Sequence, residues 1–284
     1  MQSIGARGTR AFRWNPTHWS IGPFLLWLIA MATLLLIRII IKDANAYAST
    51  VGFVVPLLDL MFILGSVLSV LMSGNELRDL GLTRKYLLLA LAAGLLVGFA
   101  IIGVRSLDPR YAGYVQAKSE LIPIITFIIG GAYHAFAEEI LFRGFFVGRL
   151  SRDFGWVPAI IISGIAYGLM PFAFLGADPT SPAQIEEIGR FFGSVFPAMM
   201  LLGIMLALVY RIIGNLLTTW FGVALSIWVL GFIRGGILEY TSYPYFALVG
   251  YASLSILAII GIRLLMKAYG REPIGIKEIK EMVE

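Results

Sequence analysis

The sequence predicts an all-α, polytopic membrane protein, and three observations carry that reading. Hydrophobic residues make up 59% of the 284 positions and charged residues only 14%, with a mean hydropathy of +0.86. A soluble domain of this size has nowhere to hide so much apolar surface. The apolar residues also fall into eight runs, each close to the roughly 20 residues a helix needs to cross hydrocarbon: 21–41, 48–72, 86–104, 121–150, 156–175, 191–210, 216–233 and 245–266. The polar stretches between them are short. One domain is therefore expected: an arm over 1–20, an eight-helix membrane domain over 21–266 and a tail over 267–284, with the lipid bilayer as the surrounding partner.

An even number of spans places both termini on one side. Of the 22 Lys and Arg residues, 15 lie on the side of the termini: on the arm, after the second, fourth and sixth spans, and from Arg263 onward. The other face holds Arg38, Lys42, Arg105, Arg110, Lys118, Arg190 and Arg234. Cationic loops stay in the cytoplasm, so both termini are predicted cytoplasmic. The first run resembles a secretory signal, with Ala44-Asn45-Ala46 at cleavage-site spacing, yet it is too long for a signal core and Arg38 interrupts it. It is expected to be a retained helix. The segment 274–283 alternates Lys and Glu with Ile and Met, and a short surface helix is expected there.

Composition removes several chemistries. There is no cysteine, which excludes disulfides, thiolate metal sites and a cysteine nucleophile. The two histidines, His18 and His134, cannot build a His-rich zinc centre, and HExxH is absent. No metal or cofactor is expected. The net charge of +5 sits mostly at helix ends and reads as orientation, so nucleic acid is not an expected partner.

The fourth run carries Glu138, Glu139 and Arg143 in an otherwise apolar stretch. A charge at membrane depth is expensive and marks either function or a tight internal pair. On a helix, Glu139 and Arg143 are four apart and face each other. Glu138 points about 100° away, which leaves a carboxylate without an obvious cation, desolvated as a general base requires. Elsewhere, Gly144-xxx-Gly148 and Gly164-xxx-Gly168 place small residues one turn apart for close helix approach in lipid. Pro123, Pro158 and Pro197 lie near span ends, where a missing N–H costs least.

The stretch Ala137-Glu138-Glu139-Ile140-Leu141-Phe142-Arg143-Gly144 resembles the EExxxR motif of the CAAX prenyl endopeptidase and bacteriocin-processing family of eight-helix intramembrane glutamate proteases. Leu80-Gly81-Leu82 is similar to that family's entry sequence. The stretch from Ser163 to Leu169 looks like the small-residue part of its second motif, and Gly214-Asn215-Leu216 like the turn before its third. The likeness runs from about Leu80 to Leu230. It implies a CAAX-protease-like bundle in which Glu138 is the base that activates water, with Glu139 and Arg143 completing the motif. The family's other donors are missing. Its second motif places histidine where this chain has Pro171, and its third places histidine and asparagine where this chain has Val223 and Ile227. None of these three offers a side-chain donor for a developing oxyanion, and one such loss commonly costs about 10²–10³ in rate.

Replacements can be named from the sequence. His134 lies one turn before Glu138 on the same face and can share a proton with it. A helix hairpin about Phe154 brings Tyr167 to the depth of the two glutamates, where its hydroxyl can donate. Tyr133, Ser163, Thr218, Thr219 and Ser226 are further polar groups of these spans, and Asp59 is a second intramembrane acid whose role stays open. Three readings follow. The first is a catalytically impaired family member serving as a membrane binding or scaffold subunit, with a membrane protein or peptide as partner. The second is an active, divergent intramembrane endopeptidase based on Glu138. The third is a small transporter or channel using the acidic groups.

Overall fold

The computed structural model describes residues 11–12, 14–41, 43–84, 86–106, 121–174, 186, 188–189, 191–234, 256–257, 259–268 and 270. Among them every regular element is helical. The helices are α1 (Gly22–Ile40), α2 (Ala44–Met72), α3 (Leu87–Ser106), α4 (Leu121–Glu139), α5 (Gly148–Phe154), α6 (Trp156–Leu169), α7 (Phe196–Ile213) and α8 (Leu216–Arg234). Four segments are long and apolar enough to cross a membrane: His18–Ile40, Ser49–Met72, Trp156–Ala173 and Phe196–Ile213. Leu87–Gly103 and Leu216–Val229 are shorter apolar helices. Such helices, exposing Leu25, Leu28, Leu36, Leu64 and Leu68 on their outer faces, are those of an integral membrane protein. The first half of the expected eighth span, the arm over 1–10 and the expected tail helix lie outside the described residues.

The fourth run is not one α-helix. α4 ends at Glu139, a π-helix runs over Ile140–Val147, and α5 resumes the α-helical form at Gly148. The Gly148 N–H reaches back to the Arg143 carbonyl, the five-residue step of a π turn. All eight π-helical residues are buried, so packing on every side holds a wide turn that local propensity alone rarely selects. α5 ends at Gly155, whose φ of +89° suits glycine. A Cβ there would also stand 2.5 Å from the Ala11 carbonyl oxygen. The hairpin expected about Phe154 thus turns on Gly155.

Small residues set the helix contacts. At Gly164 and Gly168 a Cβ would press on Ile204 and on Met200 of α7, and at Gly203 it would meet Gly164 and Tyr167. α6 and α7 therefore approach along a stripe of glycine, as the Gly-xxx-Gly spacing anticipates. Gly144 and Gly148 face the Leu80 and Asp79 carbonyls in the same way. α3 lies on α8, and α8 in turn lies on α4. There the indole N–H groups of Trp220 and Trp228 donate to the carbonyls of Ala132 and Ile128, both at 2.9 Å. Two of the sequence signals converge where the Leu80-Gly81-Leu82 entry meets the turn before α8. The Leu216 N–H donates to the Gly81 carbonyl at 3.0 Å, and Asn215 Nδ2 donates to the Thr83 carbonyl at 3.1 Å.

Candidate active site in the membrane

α4 sorts its ionisable residues onto two faces. Glu139 and Arg143 are both fully buried and pair with Arg143 Nε 3.3 Å from Glu139 Oε2. The Arg143 guanidinium also lies over the Tyr167 ring, 4.4 Å from its centroid, and Tyr167 meets Phe142 edge to face at 5.2 Å. None of the guanidinium nitrogens makes an aligned hydrogen bond. The pair therefore rests on charge and on the aromatic face, and one residue of each sign leaves no net charge to desolvate. The i,i+4 partnership read from the sequence survives the π turn. Ser163 fastens the same region by donating to the Phe142 carbonyl at 2.9 Å.

Tyr167 was expected at the depth of Glu138 and Glu139. Its ring stands against Phe142 and Arg143, and that arginine in turn reaches Glu139. Pro171 and Val223 are buried, and Ile227 packs where a Cβ on Gly131 of α4 would stand 3.0 Å from its Cγ2. Thr218 is fully buried. Thr219, also fully buried, stands beside Glu139 and donates to the Leu216 carbonyl at 3.3 Å. Ser226 donates to the Val223 carbonyl at 2.8 Å. The α8 hydroxyls Thr219 and Ser226 thus bond their own helix, the usual fate of such groups in lipid.

The second face of α4 looks to α2. His134 Nδ1 lies 3.0 Å from both carboxylate oxygens of Asp59, while its Nε2 lies 3.5 Å from Glu138 Oε1. One turn of α4 and the middle of α2 thus assemble a carboxylate, an imidazole and a second carboxylate in line. Asp59 is 3% exposed, and it is the one acidic or basic side chain of α2. Tyr133 adds a bond across the same interface by donating to the Pro56 carbonyl at 3.1 Å. The His134 side chain is 39% exposed and that of Glu138 15%, so this face is reachable where the Glu139–Arg143 face is sealed.

That second face allows proton chemistry. An ionised carboxylate only accepts, so a ring nitrogen bonded to both Asp59 oxygens carries the proton as its donor. In the neutral ring Nε2 is then an acceptor aimed at a second acceptor. When the ring is protonated, Nε2 carries a proton as well and directs it at Glu138 Oε1, 3.5 Å away. That form presents a proton beside Glu138.

Comparison with known families supports what the motif suggests. Residues 120–229 match a family described as type II CAAX prenyl endopeptidase Rce1-like. This segment is similar to that Rce1-like family. The match contains Glu138, Glu139 and Arg143 together with α4 to α7 and most of α8, and starts at residue 120, whereas the motif resemblance starts at Leu80. No curated protein and no solved structure matches the chain. Asp59 lies outside the Rce1-like segment, on a helix that packs against it.

A second polar cluster lies at the far end of α5. Asp153 accepts from Ser20 at 2.5 Å and pairs with Arg149 Nε at 3.2 Å. Arg152 pairs with Asp79 at 2.8 Å. These bonds tie the segment before α1 and the short helix after α2 to α5, with each cation matched by an anion.

Proposed function

We propose that the chain is an intramembrane hydrolase of peptide bonds in which Glu138 is the general base. The observation that carries the reading is the His134 ring held between Asp59 and Glu138, because it supplies beside the base a donor that the Rce1-like motif positions Pro171, Val223 and Ile227 lack. A water donating to Glu138 loses a proton to that carboxylate as its oxygen adds to the carbonyl carbon, and the carbonyl electron pair moves onto oxygen. His134 faces that developing charge through Nε2, protonated and held by Asp59 in the way a triad aspartate holds its histidine. Collapse reforms the C=O bond and breaks C–N, with the proton passing from Glu138 to the leaving nitrogen. The sealed Glu139–Arg143 pair serves as scaffold and takes no part in proton transfer.

A second reading, the impaired membrane binding or scaffold subunit, is favoured by Pro171, Val223 and Ile227 themselves, which carry no donor. One experiment separates the two. Purified protein in detergent or nanodiscs is offered a broad peptide library, and cleavage is followed by mass spectrometry for wild type, Glu138→Ala and His134→Ala. Turnover that is lost with Glu138 and reduced about 10²–10³-fold with His134 is the expected result. An inert wild type selects the scaffold reading, and recovery of cleavage by Pro171→His, Val223→His and Ile227→Asn together would then show which donors were missing.

A further inference from the structure

Asp59 has no counterpart in the motifs that flag Glu138, and it is contributed by a helix outside the Rce1-like segment. It nevertheless occupies a defined place. Nδ1 of His134 is equidistant, at 3.0 Å, from its two oxygens, so the N–H is directed between them. The opposite ring nitrogen then has one direction available, along the α4 surface toward Glu138, 3.5 Å away. Without the carboxylate, an imidazole 39% exposed is free to turn about its two side-chain torsions and to move its proton to the other nitrogen. A carboxylate in α2 also offsets the charge that the ring acquires while it faces an oxyanion. A bond that merely joined two helices would not need the only acidic or basic residue of α2, since Tyr133 already links α4 to the Pro56 carbonyl.

We infer that Asp59 is a positioning residue of the Glu138 site: through the Nδ1 bond it sets the tautomer and direction of His134, so that α2 completes a site whose other members lie on α4. The inference rests on the hydrolase reading for its kinetic consequence, whereas its structural content, that Asp59 sets the ring, has its own readout. The two can therefore fail separately.

The chain has only two histidines, so a His18→Gln background leaves a single imidazole for nitrogen-15 NMR of the full-length protein in nanodiscs. At alkaline pH, where the ring keeps one proton, wild type is expected to show a protonated Nδ1 and an unprotonated Nε2. Asp59→Asn, whose amide oxygen can still accept, should preserve that pattern. Asp59→Ala should shift both nitrogens toward a mixture of tautomers. A pattern unmoved in a folded Asp59→Ala protein overturns the inference regardless of activity. On a peptide that wild type cleaves, Asp59→Ala should lower kcat about 10- to 100-fold, a part of the 10²–10⁴ that a positioned acid–base group contributes, with KM nearly unchanged. Combined with His134→Ala it should cost nothing further, because it acts through that ring. Full additivity in the double variant overturns the inference in favour of a purely architectural bond. An inert wild type overturns the hydrolase reading and the kinetic consequence with it, and the NMR result alone then decides whether Asp59 sets the ring.

Discussion

Replacing one member of the buried Glu139–Arg143 pair should be among the most damaging single changes in α4, while the neighbouring Glu138 should tolerate the same change. Both members of the pair are fully buried, with their charges 3.3 Å apart. Glu139→Gln strands the guanidinium and Arg143→Ala strands the carboxylate, and an uncompensated buried charge costs about 3–5 kcal/mol. Arg143→Ala also removes the contact with the Tyr167 ring at 4.4 Å, a cation–π interaction worth about 2 kcal/mol when desolvated. At roughly 2–4 °C per kcal/mol, either variant should lower the apparent Tm in detergent by on the order of 10 °C, with Arg143→Ala the worse. Glu138→Gln leaves a partly exposed amide beside His134 and should shift Tm by only about 1–2 °C, the scale of a surface change. Removing both charges by Glu139→Gln with Arg143→Met should recover much of the loss, since an apolar replacement of similar volume strands nothing. Fluorescence-detected thermal unfolding of the four variants is the assay. Equal losses for Glu138→Gln and Glu139→Gln, or a double variant as poor as the sum of its parts, would refute the division of α4 into a structural and a chemical face.

Three further outcomes are expected. In the naturally cysteine-free chain, Glu76→Cys, in the exposed turn after α2, should be labelled by impermeant reagents only from the cytoplasmic side; labelling from outside only would reverse the orientation. Gly81→Ala should destabilise by about 1–3 kcal/mol, because Gly81 has a φ of +81° and its Cβ would stand 2.6 Å from Tyr210 Cε2; an unchanged Tm would contradict the tight joint between the stretch before α3 and the turn before α8. Asp153→Ala removes the acceptor for Ser20 and the partner of Arg149, and limited proteolysis should then cut more readily before α1.

How much could be read in advance follows the range of the interactions. The helical membrane class, the Glu139–Arg143 pair and the glycine stripe of α6 depend on periodicity or on spacings within one or two turns, and a single sequence carries these directly. The π-helix is different: i→i−4 and i→i−5 bonding are alternatives for the same residues, and packing around Ile140–Val147 decides between them. The Asp59–His134 contact joins residues 75 apart. Depth in the membrane puts both residues in range, but the rotation of α2 about its axis is set by tertiary packing, so Asp59 stood in the sequence as an acid without a partner.

The account turns on whether Glu138 activates water, and isotopic water tests this most directly. Cleavage of a peptide substrate by the purified protein in oxygen-18 water should place one heavy oxygen in each newly formed carboxyl group, and Glu138→Gln, with its fold intact by thermal unfolding, should abolish that product. Absence of labelled product from wild type, or its formation at an undiminished rate by Glu138→Gln, would contradict the account.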